Sequence, residues 1–220
     1  MYVNQTNGYP TVIDVPREGT APLLAKVLGI TALGFFVTAF GVATAPAWSM
    51  MPGFIAVLVL VFAINGARRK SEGLALGLFL ALAYFMGWEI APIIGRYIQG
   101  FGAGLVFNAA FTTGAGMAAM GCVAYLFSIN YRRVAGIATA ALLALILVGV
   151  ASMFLHFMPP TLYSWLALGI FTLLTVADFS RIRAGGDGMS ATQLSVGIYL
   201  DAINIFMILL QLFSGRSRRD

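Results

Sequence analysis

Seven long apolar runs, each closed by turn formers or basic residues, leave few folds open to this chain. They fall at about residues 23–45, 53–65 (with 50 as an earlier start), 73–94, 102–128, 134–157, 162–179 and 193–213. A bilayer core of about 30 Å takes ~20 helical residues to cross. The runs are continuously apolar and do not alternate, so helices rather than barrel strands must satisfy their backbone groups in lipid. Only 10% of the residues are charged and 60% are hydrophobic, where a soluble domain carries roughly 25% charged residues. A soluble chain of 220 residues still has a large surface to cover, so a big core cannot account for the shortfall. The expected fold class is an all-α polytopic membrane protein, a seven-transmembrane-helix bundle. A flexible polar N-terminal tail is expected over residues 1–21, the helical domain over 22–214 and a basic tail over 215–220.

Punctuation supports these limits. Pro46 and Pro52 bracket a turn that holds Trp48, an interfacial anchor, and Pro159-Pro160 breaks the chain after the fifth run. Ala43-Thr-Ala45 and Ala45-Pro-Ala47 resemble signal cleavage sites. The run before them is too long for a signal h-region of about 7–15 residues, so a retained helix is expected. Gly73/Gly77 and Gly100/Gly104 are small-residue pairs of the kind that let helices pack closely.

The basic residues are distributed unevenly. Alternate loops, counted from the N-terminal side, hold Arg17, Lys26, Arg68, Arg69, Lys70, Arg132, Arg133, Arg181 and Arg183, while the opposite loops hold Arg96. This bias places the N-terminus in the cytoplasm. Arg216, Arg218 and Arg219 fall on the sparse side. Either that tail is exported, or the last segment is broken or re-entrant. The pI near 9.7 then reflects topology and anionic lipid contacts, and no nucleic-acid partner is expected. Cys122, the one cysteine, excludes an intramolecular disulfide and a thiolate cluster and reads as a small packing residue.

The chemistry is concentrated in the last two runs. Asp201 interrupts an apolar helix, and Asn204, Ile208 and Gln211 fall on its face at helical spacing. A carboxylate at membrane depth is costly and tends to mark function. Asp178 lies 5 residues before Arg183, and Asp201 lies 8 residues after Gln193. At 1.5 Å per residue these depths are ~7–8 Å and ~12 Å from the same side. The short turn Gly185-Gly-Asp-Gly188 joins their helices, so the two acids are expected to be close. Two carboxylates in one low-dielectric site cannot both ionise cheaply, and one proton is expected to be held between them. The competing reading of Asp178 is an interfacial acid paired with Arg181 on the next turn. Arg68 and Arg69 can reach inward as a latch, or serve as ordinary topology anchors. Glu89 and Asn204 are candidate path residues; Glu89 can equally snorkel to the interface. Asn108, Thr112 and Thr113 are expected to form interhelical hydrogen bonds, and His156 is given no role.

Enzyme classes fall away on the same inventory. One histidine cannot make a zinc site, and no His-Glu-x-x-His is present. An intramembrane Ser-His protease needs a histidine inside a run. A retinal-type receptor needs a lysine in the last helix, and the lysines are Lys26 and Lys70. An intramembrane aspartyl protease also uses two late aspartates. Here the contexts are Val176-Ala-Asp178 and Tyr199-Leu-Asp201, and the Pro-Ala-Leu element of that family is missing. No enzymatic activity and no resident cofactor are expected.

The run Tyr199-Leu-Asp-Ala-Ile-Asn-Ile-Phe-Met-Ile-Leu-Leu-Gln-Leu212 resembles the C-terminal signature of the Bax inhibitor-1, or transmembrane Bax inhibitor motif, family. Ala-Arg-Arg-Lys70 before Gly73, Gly-Trp-Glu-Ile-Ala-Pro92, Ala110-Phe-Thr-Thr-Gly-Ala115 and Ala177-Asp178 before Arg181-Ile182 follow the family's order. The resemblance implies a central last helix wrapped by the other six. It implies a pH-sensitive calcium leak in which Asp178 and Asp201 share a proton and an arginine latch from helix two responds to it. Calcium and protons are then permeant or regulatory ligands. Ala67 stands at the first latch position, which leaves Arg68 or Arg69 for that role, and Glu89 replaces a small hydroxyl residue. A bacterial inner-membrane location is expected. The rival from another class is a non-conducting regulator that binds a membrane protease or other membrane proteins.

Overall fold

The structure, a computed structural model, describes residues 3–4, 11–12, 19–67 and 71–217. It consists mainly of seven α-helices: α1 (Thr20–Thr44), α2 (Met50–Ala67), α3 (Glu72–Phe101), α4 (Ala103–Leu126), α5 (Tyr131–Leu155), α6 (Pro160–Arg183) and α7 (Ala191–Ser217). All but α2 are long and apolar enough to cross a membrane, and α2 carries a shorter apolar stretch, Met50–Ile64. In the N-terminal tail Val3–Asn4 pairs antiparallel with Thr11–Val12.

Helix ends follow local chemistry. Ser71 Oγ accepts the Leu74 N–H at 3.2 Å and caps α3. Asn130 Oδ1 accepts the Arg133 N–H at 3.2 Å and caps α5. That cap moves Arg132 and Arg133, expected to close the fourth run, into the first turn of α5. Gly102 alone separates α3 from α4, with φ 83° and ψ 162°, a conformation in which a Cβ is strained.

The largest departure from the sequence reading is α3, which continues to Phe101 instead of stopping near Ile94, with Arg96 and Tyr97 inside it. Pro92 lies within this helix. A proline removes the hydrogen bond to the carbonyl four residues earlier, here that of Trp88. Ser49 replaces the missing donor: its hydroxyl bonds Trp88 O at 2.9 Å. Ser49 is fully buried just before α2, so the repair also ties α2 to α3.

The glycines that bring helices together are not those expected. A Cβ at Gly41 or Gly87 would meet backbone across the α1–α3 contact, and one at Gly53 would meet the α3 backbone at Glu89. Gly77, Gly100 and Gly104 have open space in that direction, and Gly73 meets only the Ser71 hydroxyl at 3.7 Å. Sequence spacing identifies small residues but does not say which of them face a neighbour.

Four buried clusters form the interior, and α7 contributes to each: Tyr199 and Ile203, Leu194 and Ile198, Leu209 and Leu210, and Ile208. Half of its apolar window is buried, against 11–39% in the other five long helices. It packs mainly against α1, α3, α4 and α6, while α2 leans on α3 and α5 on α6. At 27 unbroken residues α7 is about 40 Å long, enough to cross a bilayer core without a break. A break within the last segment is therefore overturned.

The Ser49 repair is testable by a double-mutant cycle on unfolding in mixed micelles. Ser49→Ala alone is expected to cost about 1 kcal/mol. In a Pro92→Ala background the restored N–H can serve Trp88 O, and Ser49→Ala should cost clearly less. Equal costs in both backgrounds contradict the repair.

Candidate functional site

The polar groups of α7 lie along its seam with α6. The helices run antiparallel, so each turn back along α6 meets one turn forward along α7. Asp178 Oδ2 lies where a Cβ on Gly197 would stand. One turn deeper, Thr175 Oγ1 and Asp201 Oδ2 are hydrogen-bonded at 3.2 Å. Ala167 and Ile208 share a buried cluster, and Ser164 donates to Gln211 Oε1 at 2.9 Å. The expected Asp201–Asn204–Ile208–Gln211 face therefore points toward α6. It ends at a cavity of about 700 Å³ lined by Tyr97, Phe101, Ser164, Trp165, Gln211 and Ser214.

The structure brings Asp178 and Asp201 onto this one seam, a helical turn apart. Among the described residues no hydrogen bond joins the two carboxyls. Asp201 is 7% exposed, with Thr175 as its bonded neighbour. Asp178 is paired with Arg181 Nη1 at 3.0 Å, as the competing reading anticipated. The Arg181 guanidinium also lies 5.9 Å from the centre of the Tyr131 ring. Arg181 is thus the cation that holds Asp178 in this structure, and it comes from the same helix.

The other candidates separate. Arg68 and Arg69 lie outside the described residues. Asn204 donates from Nδ2 to Leu200 O on its own helix at 2.8 Å. Glu89 is half-buried on α3 where Gly53 of α2 meets its backbone, with no hydrogen bond or ion pair among the described residues. Thr113 bonds Ala109 O within α4, not another helix, and Asn108, Thr112 and Cys122 are exposed. The packing role expected of Cys122 is therefore overturned. His156 caps α5 in a left-handed conformation, φ 52°.

Sequence reasoning missed the hydroxyls that anchor α7. Tyr199 Oη pairs with Thr38 Oγ1 at 2.6 Å. Ser195 donates to Val27 O of α1 at 3.0 Å. Thr175 lies three residues before Asp178, and that helical spacing was the available signal. Chemically, the seam offers carboxylate and hydroxyl oxygens, the donor type that calcium prefers, with water needed to complete its six to eight ligands. Among the described residues no cluster of three or more metal-binding side chains occurs.

The family model described as inhibitor of apoptosis-promoting Bax1 matches residues 20–218. The chain belongs to the Bax inhibitor-1 family. An uncharacterized protein of Borreliella burgdorferi is 30% identical over 243 residues, covering 95% of this chain and all of its own length. An uncharacterized membrane protein of Streptococcus pyogenes serotype M3 is 33% identical over 172 residues, 73% of this chain and 71% of its own. The apolar helices and these relatives make this an integral membrane protein of that family.

At the end of the seam, Asp187 accepts from Arg132 Nη2 at 2.9 Å and from Tyr131 Oη at 2.8 Å. The Arg132 bond first, and the Tyr131 bond second, hold its carboxyl below the usual carboxylate range. A depressed carboxylate adds stability above its unfolded value, and that stability is lost as pH falls through the folded value. Asp187→Asn should therefore destabilise slightly at pH 7, and the difference should vanish well below about pH 4. A difference that persists in acid contradicts the pairing.

Gly197→Ala puts a methyl where Asp178 Oδ2 lies. It should cost about 1–3 kcal/mol by unfolding in micelles, and Asp178→Ala in the same chain should recover most of that loss. A Gly197→Ala cost that is unchanged by Asp178→Ala contradicts the contact.

Proposed function

We propose that this protein is a pH-sensitive cation leak, with calcium as the ion, regulated by Asp178 and Asp201. The observation that carries the reading is Asp201: a carboxyl 7% exposed in an apolar bundle, bonded to a hydroxyl and to no cation among the described residues. Such a group is retained against its desolvation cost where it has work to do.

In this reading one proton resides on the Asp178–Asp201 pair. The Thr175 hydroxyl has a single hydrogen, and its shorter bond goes to Phe171 O at 2.8 Å. A proton on Asp201 lets the 3.2 Å contact form with Asp201 as donor. Loss of that proton leaves two neighbouring negative charges, which draw in a cation or a guanidinium. Arg181 already serves Asp178 in that way, and Arg68 or Arg69 are the further latch candidates. The seam leads from this pair toward the cavity beside Gln211, and Glu89 and Asn204 are the proposed path residues. The reading takes α7 as the central helix, α2 as a seventh span and the chain as a bacterial inner-membrane protein with a cytoplasmic N-terminus. It assigns no enzymatic activity and no resident cofactor.

The Asp178–Arg181 pair favours the second reading, a non-conducting regulator of a membrane protease or other membrane protein, because it gives Asp178 a purely structural task. Calcium flux into liposomes holding the purified protein, compared at pH 6 and pH 8, separates the two. The leak should differ between the two pH values, and Asp201→Asn and Asp178→Asn should abolish that difference. A leak that is absent, or that keeps its pH response in both variants, rejects the channel, and capture of a membrane protease by the full chain then favours the regulator.

A further inference from the structure

Away from the α6–α7 seam, a cleft of about 410 Å³ opens between the α4–α5 turn and the end of α6, lined by Ser128, Asn130, Tyr131, Arg132, Ser180 and Arg183. Its chemistry is unbalanced toward positive charge. Arg183 is half-buried and spends its hydrogen bonds on neutral groups, Phe127 O at 2.8 Å and Ala124 O at 3.1 Å. These bonds cap the end of α4, whose carbonyls match the guanidinium with partial charge only. Among the described residues no acid stands within ion-pair distance of it. The first turn of α5 opens on the same cleft and holds no acidic residue of its own; Asn130 caps its Arg133 N–H, and Asp187 bonds its Tyr131 and Arg132 side chains. Arg132 adds a second guanidinium, 74% exposed and shared with Asp187.

A third observation points to a ligand. Ser180 is 5% exposed, and its buried hydroxyl has no partner. Buried hydroxyls are ordinarily bonded. Here a lone donor stands beside an arginine with no acid within ion-pair distance among the described residues. A hydroxyl and guanidinium groups together form a set that receives phosphate oxygens. Two exposed apolar residues, Leu126 at 77% and Phe127 at 60%, directly precede Ser128 of the cleft lining. A polar cleft next to exposed apolar residues, at the end of a membrane helix, fits an amphiphile better than a free ion.

We propose that this cleft is a phosphate site filled by the headgroup of an anionic membrane lipid, whose acyl chains lie over Leu126 and Phe127. Basic pockets between membrane helices bind such headgroups. This reading is independent of whether the seam conducts.

The test is binding to the purified full chain in non-ionic detergent, read by native mass spectrometry. Three probes are compared: short-chain phosphatidylglycerol, phosphatidylcholine with the same chains, and inorganic phosphate. Phosphatidylglycerol should bind at least tenfold more tightly than phosphatidylcholine. Arg183→Gln should weaken it about fivefold and leave phosphatidylcholine unchanged. Arg183 also caps α4, so Arg132→Gln and Ser180→Ala, which leave those caps intact, carry the test if Arg183→Gln does not fold; each should weaken phosphatidylglycerol severalfold. Equal binding of the two lipids, or wild-type affinity in the variants, overturns the site. Inorganic phosphate that binds as tightly as phosphatidylglycerol and displaces it overturns the lipid as the source.

Discussion

The contact of Asp178 with the backbone of α7 at Gly197 is the constraint on which the rest of the site depends. Any side chain larger than hydrogen at that position would hold α6 away. With glycine there, the α6 face that carries Thr175 and Asp178 closes on the α7 face that carries Asp201. The helices then continue in register to Ser164 and Gln211. Each of these bonds is worth only about 1 kcal/mol. Together they fix the seam, because in lipid no water competes for the groups they join.

The opposite side of α7 is held by a different device. Tyr199 reaches Thr38, and Ser195 reaches the Val27 carbonyl, so α7 is pinned to α1 by hydroxyls while the seam pins it to α6. The outer helices lean mainly on one neighbour each, α2 on α3 and α5 on α6. The α3 repair at Pro92 belongs to the same logic, since it lets a helix with a missing donor run 30 residues without losing its tie to α2.

Much of this was legible in the sequence. The seven runs gave seven helices, because continuous apolarity leaves the backbone no other way to bond in lipid. The face carrying Asp201 and Gln211 was readable from helical spacing, and it does meet α6. The axial offset of Asp178 and Asp201 followed from counting residues on two antiparallel helices. What failed was whatever depended on a partner. The third run was expected to end near residue 94, just past Pro92, whose donor substitute, Ser49, lies 43 residues earlier. Gly73 and Gly100 carry the right spacing but face away from neighbours, whereas Gly41, Gly53 and Gly197 owe their role to what lies opposite. The expectation for Arg68 and Arg69 falls outside the described residues, while Arg181, first read only as a competing partner, is the cation that Asp178 holds.

The central claim is that a proton resides on the Asp178–Asp201 pair. Infrared difference spectroscopy of the lipid-reconstituted protein between pH 6 and pH 8 reads protonated carboxyls directly. The expected result is a protonated-carboxyl band that responds to pH, is lost in Asp201→Asn and changes in Asp178→Asn. A spectrum with no such band at either pH, or a band unaltered in both variants, contradicts the account.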